Sequence, residues 1–244
     1  MTVGILLMAG GLAALVKGTL GFGFPPVATP LVAGIVGAKT AVTVLAIPSL
    51  VLNLTQVWIG RSSIGAWRSV VPLMSSIILG SFCGGYLLTV LPAHLAGALV
   101  GMCVMGYVTL AMLKVRLELA QHLVRPAGAV LGLVAGLLGG ATGIHGPLLV
   151  LYLSMLRLEK ETFAGLLSLV LLIAQVPQVM AYAVFGLFNS ESLLWSAAML
   201  PGVAVGFYCG SILRSRISQR TFAVVVRCAL LVVGIRLLFE AIWP

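Results

Sequence analysis

Lys17 is the first charged residue of the chain, and it opens a run whose residue types could hold a negative charge. Val16–Pro30 reads VKGTLGFGFPPVATP, placing Gly18, Gly21 and Gly23 and the adjacent Pro25 and Pro26 behind that single cation. A second run of the same kind, Gly139–Pro147, reads GGATGIHGP, with Pro147 standing 121 residues after Pro26. Glycines bare the backbone N–H and permit φ > 0, while proline suits the first turn of a helix that follows. Helices starting near Pro26 and Pro147 would aim positive N-terminal ends at whatever lies in the break, a ready arrangement for an anion. The candidate binding residues are therefore Lys17, Gly21, Phe22 and Gly23 in the first run and Thr142, Gly143, His145 and Gly146 in the second. His145, read at the place of Phe24, could donate to an anion or shuttle a proton, since an imidazole titrates near neutrality.

A second set is uncharged. Asn53 and Gln56 lie three apart, as do Gln175 and Gln178, so each pair shares a helix face. They are accompanied by Thr43 and Ser49 in the first stretch and by Ser168 and Tyr182 in the second. Such amides either line a path or act as interhelical glue worth about 0.6 kcal/mol each. Lys17 also has two readings. A lysine deep in an apolar segment costs about 2.5–3.5 kcal/mol on insertion scales, so it either binds a compensating anion or snorkels to an interface. Arg227, in the last segment, reads as a snorkelling or carbonyl-capping cation.

Other chemistries are excluded by what is missing. No GxxxxGK[ST] loop is present, and GTLGFGF lacks the preceding strand and following acid of a dinucleotide fingerprint. The chain has no aspartate, and its glutamates (Glu118, Glu159, Glu161, Glu191, Glu240) fall at loops or helix ends. No histidine–carboxylate cluster has metal-ligand spacing, so neither an enzyme, a metal nor a cofactor is expected. Cys83, Cys103, Cys209 and Cys228 sit in apolar segments without CxxC spacing and read as small buried packing residues.

These residues sit in a chain of 244, 61% hydrophobic and 8% charged, with a mean hydropathy of +1.21. That composition means a polytopic α-helical membrane protein. The net charge of +9 is spread singly over short loops, which argues for topology signals and against nucleic acid. Ten apolar segments are expected: 2–20, 26–37, 40–60, 67–90, 93–113, 123–141, 146–156, 161–186, 191–213 and 219–240. Segments 26–37 and 146–156 are too short to cross a bilayer core of about 30 Å, so each should form a broken or re-entrant hairpin with its predecessor. Leu79–Gly84 matches Val205–Gly210, Asn53–Gln56 matches Gln175–Gln178, Pro26 matches Pro147 and Lys39 matches Lys160, at offsets of 121 to 126. The expectation is one transmembrane domain, 1–244, made of two five-segment repeats (about 1–113 and 123–244) inverted because five is odd, with a hinge near 114–122. Arg61, Arg68, Lys114, Arg116, Arg125, Arg157, Lys160, Arg214, Arg216 and Arg220 fall in one set of loops. Lys39 and Arg236 fall in the other, so the rich set is cytoplasmic and both termini lie outside. No basic n-region precedes the first apolar run, which is read as retained structure rather than a signal peptide.

Gly21-Phe22-Gly23 with Pro30, Gly143-Ile144-His145-Gly146-Pro147 with Leu151 at the place of the last proline, and the duplicated glycine-bearing helices resemble the TauE/SafE family of sulfite exporters over essentially the whole chain. Phe24, Pro25 and His145 depart from glycines common in that pattern. The resemblance implies movement of sulfite or a small organosulfonate across a prokaryotic cytoplasmic membrane. With the paired breaks it points to a secondary transporter working by alternating access, the anion held near the midplane between the two hairpins. The partners expected are a small anion and membrane lipid, with proton coupling through His145 left open. An anion channel of the same architecture and a non-transport membrane subunit are the alternatives.

Overall fold

The computed structural model describes residues 2–61, 67–113, 121–156, 158–214 and 216, and single positions between 224 and 239. Among them the chain is helical, without strands, and seven helices are long and apolar enough to cross a membrane. In order the described helices are α1 (Thr2–Leu20), α2 (Phe24–Val36), α3 (Ala38–Ile59), α4 (Val71–Val90), α5 (Ala93–Leu113), α6 (Val124–Thr142), α7 (Gly146–Met155), α8 (Lys160–Val184) and α9 (Ser190–Leu213), all but α2 and α7 being of spanning length. Single 3-10 turns, Trp67–Val70 and Gln121–Leu123, lead into α4 and α6. Most of the last apolar segment, residues 114–120 of the expected hinge and Arg227 lie outside the described residues, so the ten-segment count is not reached here.

The two short helices are α2 and α7, with 13 and 10 residues. At 1.5 Å per residue they extend only about 20 and 15 Å. α2 lies against α1 and α7 against α6, as the hairpin expectation requires. The turns between them begin alike. Gly21, at φ 85°, returns its N–H to Lys17 O at 2.7 Å, and Gly143, at φ 78°, returns its N–H to Gly139 O at 2.6 Å. An L side chain resists that left-handed conformation, which is why glycine ends both helices.

Helix boundaries fix the register between the halves. Leu20 and Thr142, Phe24 and Gly146, and Ala38 and Lys160 each lie 122 residues apart. That register sets His145 opposite Gly23 rather than Phe24, Pro147 opposite Pro25, and Lys39 opposite Glu161. The pairing read through the prolines was off by one because proline is tolerated at several first-turn positions, whereas a left-handed cap is not.

The helices gather into two compact units that interleave the sequence halves. The first holds Met1–Pro48, Leu91–Val108 and Phe188–Pro244, and the second Ser49–Val90 and Thr109–Leu187. In the first unit α1 runs along α9, and in the second α6 runs along α4. Both seams bring backbone to backbone. A Cβ on Gly206 would overlap the Gly11 carbonyl, and one on Gly210 the Leu15 carbonyl; one on Gly80 would overlap the Leu133 carbonyl, and one on Gly84 the Leu137 carbonyl. The first helix of each half thus pairs with the fourth helix of the other.

Proline also shapes α3. Pro48 cannot donate to Val44 O, and Ser196 of α9 fills that vacancy, its Oγ donating at 2.7 Å. The Asn189–Ser192 capping box starts α9, where Asn189-Ser190-Glu191 predicted a cap. The cysteines differ from expectation: Cys83, Cys209 and Cys228 are exposed and Cys103 is half-buried. A small apolar residue in a membrane helix is equally at home against lipid.

Candidate functional site

Lys17, Gly21, Phe22 and Gly23 belong to the first unit; Asn53, Gln56, Thr142, Gly143, His145, Gly146, Gln175 and Gln178 belong to the second. Lys17 lies one turn before the end of α1 and is 2% exposed. Thr19 Oγ1 sits between Leu15 O at 2.9 Å and Gly210 O at 3.2 Å, pinning the end of α1 to α9. Gly23 is the N-cap of α2 at φ 101°, and Val27 N–H returns to its carbonyl at 3.3 Å. Pro25 and Pro26 carry no N–H, so the outward amides of this helix start reduce to those near Gly23 and Phe24. The prolines shape the turn and also remove donors from it. Tyr107 of α5 closes the side: its ring meets Phe22 edge-on at 6.4 Å, and its hydroxyl lies 3.8 Å from where a Gly23 Cβ would stand. Further along α2, the Thr29 hydroxyl is buried without a hydrogen-bond partner.

The second turn is more fully bonded. Besides the Gly143 cap, Ile144 N–H goes to Thr142 Oγ1 at 3.2 Å, and Thr142 Oγ1 donates to Leu138 O at 2.7 Å. His145, 2% exposed, faces Ser81 Oγ of α4 with Nε2 at 3.3 Å and bonds the Gly143 backbone with its ring. Its imidazole rests directly on Gly139, where a Cβ would overlap the ring. Gly146 and Pro147 begin α7, and Gly146 is half-buried.

Behind this turn the amides interlock. Asn53 Nδ2 donates to Gln175 Oε1 at 3.4 Å, and Gln175 Nε2 to Gln178 Oε1 at 2.9 Å. Gln178 Nε2 then donates to Gly139 O at 3.1 Å and to the Tyr182 hydroxyl at 2.7 Å, while Tyr182 donates to Gly140 O at 2.5 Å. Gly140 O, whose i+4 amide turns to Thr142 instead, is thereby satisfied from α8, and Gly139 O gains a second donor beside Gly143 N–H. Gln56 is half-buried.

Three residues escaped the sequence reading. Ser81 lies inside the LGSFCGG packing stretch, Gly139 enters only as the first residue of the second run with no role of its own, and Tyr107 stands far from either run. A cavity of about 490 Å³ in the first unit opens among Thr2, Val36, Thr40, Asn189, Glu191 and Trp195. It sits at the end of α2 opposite Gly23, so it is not a pocket of the turn. Among the described residues no group of three His, Cys, Asp or Glu could hold a metal.

A family model described as Sulfite exporter TauE/SafE matches residues 6–237. No curated protein and no solved structure matches the chain.

Proposed function

The chain belongs to the sulfite exporter TauE/SafE family, which makes it a membrane transporter of sulfur anions, and we propose that its cargo is sulfite or a small organosulfonate moved by alternating access. The observation that supports this most is Lys17, a cation 2% exposed in an apolar helix, one turn before the left-handed Gly21 and followed by the start of α2. A buried ammonium gains most from an anion close by, and a helix start adds backbone donors and a favourable dipole. Sulfite and sulfonates offer three oxygens that accept hydrogen bonds, and they need no metal to be held. In this reading Lys17 supplies charge and the amides near Gly21–Gly23 supply donors in the first unit; in the second unit the amides near His145–Gly146 supply donors, and the Asn53–Gln175–Gln178 chain keeps that turn rigid.

The same proposal places the protein in a prokaryotic inner membrane, with Arg61, Arg68, Arg125, Lys160 and Arg214 at the cytoplasmic ends of their helices and both termini outside. The positive-inside rule supports that orientation. Two inverted repeats are supported by the shared 122-residue register and by the equivalent α1–α9 and α4–α6 seams.

Ligand-induced stabilisation of the purified protein tests the cargo. A ligand at about a hundred times its Kd adds about 2.7 kcal/mol to the folded state. Sulfite or a small sulfonate should raise the unfolding temperature while a small organic cation should not, and Lys17→Met should abolish the rise. An equal rise in Lys17→Met would remove the lysine from the site.

A further inference from the structure

The two turns share a register but carry their basic side chains from opposite ends. Lys17 stands at the position of Gly139, and Gly23 at that of His145, by the 122-residue spacing of the helix boundaries. Each turn therefore pairs one nitrogen-bearing side chain with one glycine, in reversed order. The backbone follows suit: Gly23 has φ 101°, whereas His145 has φ −86°. That change folds the imidazole back over Gly139, onto the spot from which the lysine side chain leaves in the first turn.

What the imidazole can do there depends on its two nitrogens. Gly143 N–H is already given to Gly139 O, so the Gly143 backbone can offer the ring only its carbonyl, and one ring nitrogen must carry hydrogen to meet it. The other nitrogen, Nε2, faces Ser81 Oγ, a residue fully buried in α4. A serine hydroxyl can donate a hydrogen bond to that nitrogen, which leaves the ring neutral. The elements packed around the ring bring no carboxylate. α4 and α7 hold no charged residue, α6 has only Arg125 at its far end, and α8 has Lys160 and Glu161 at its start and the neutral Tyr182 near the turn.

We infer that Ser81 is a positioning residue: it donates to His145 Nε2 and holds the imidazole in the neutral Nδ1–H form, seated on Gly139 in the place where the first turn carries Lys17. The two turns thus offer one lysine and one uncharged imidazole, and His145 is a fixed part of the second turn rather than a proton carrier. The role in anion handling rests on the transport reading above, while the tautomer does not.

The test is nitrogen NMR of the whole protein labelled with 15N-histidine and held in lipid nanodiscs between pH 6 and 8. His145 is distinguished from His94 and His122 by loss of its signals in His145→Asn. Wild type should show a hydrogen on Nδ1 and a bare Nε2 across this range. Ser81→Ala should shift the Nε2 signal or mix the tautomers, and Ser81→Thr, which keeps the hydroxyl, should restore the wild-type pattern. A charged His145 at pH 7, a hydrogen on Nε2, or a Ser81→Ala spectrum identical to wild type would overturn the assignment. A parallel flux assay uses a small sulfonate, whose charge does not change over this range, and compares wild type with His145→Asn, which should share one pH profile. A pH dependence of flux present in wild type and lost in His145→Asn would contradict the neutral, fixed His145. Absent flux with the expected spectrum would count against the transport reading alone.

Discussion

Lys17 and His145 stand at opposite ends of their turns and have unlike surroundings, and single substitutions should separate their roles. Gly21→Ala and Gly143→Ala each force an L residue to φ near 80°, a penalty of about 1–2 kcal/mol. Both should lower the unfolding midpoint in a thermal melt, and an unchanged midpoint would mean the turn relaxes to another conformation. Gly139→Ala drives a methyl into the His145 ring. A double-mutant cycle with His145→Gly should therefore show coupling of about 0.5–3 kcal/mol, since the second change vacates the space; additive effects would place the ring elsewhere. The candidate glycines, Lys17 and His145 were legible because Gly, Pro and a lone charge are rare signals in an apolar run. Ser81 and Tyr107 were not, because each acts across a tertiary contact that leaves no local pattern.

At the scale of elements, nearly every described helix was readable within a few residues. Length and apolarity decide a membrane helix, and Gly or Pro marks its ends. The partners of those helices were not readable. Internal similarity between Leu79–Gly84 and Val205–Gly210 announced two equivalent helices, but not that α4 lies on α6 and α9 on α1. Small-residue seams transmit substitutions harshly, because the backbones already touch. Gly84→Val and Gly210→Val should each reduce folded yield in detergent, the one through the Leu137 carbonyl and the other through Leu15. Tolerance of either valine would mean that its seam is looser than drawn. Ser196→Ala leaves Val44 O without the donor that Pro48 denies it. A loss of about 1 kcal/mol is expected in an unfolding titration, and restoring a backbone donor with Pro48→Ala should reduce that loss.

For the molecule as a whole, composition already required a membrane, and the family match agrees with the resemblance seen in the paired glycine–proline runs. The one-residue shift in register shows where sequence reading reached its limit. Prolines suggested an alignment that only the left-handed caps could correct, and the correction is what sets Lys17 against Gly139. The account depends most on Lys17 as the charge that the transported anion meets. Its most direct test is the flux of 35S-sulfite in proteoliposomes, with and without unlabelled sulfite on the far side. The expected result is saturable flux accelerated by sulfite on the far side, reduced at least about tenfold by Lys17→Met, a change equivalent to about 1.4 kcal/mol. Flux that ignores far-side sulfite would contradict alternating access, and flux equal in wild type and Lys17→Met would contradict the lysine's place at the centre of the mechanism.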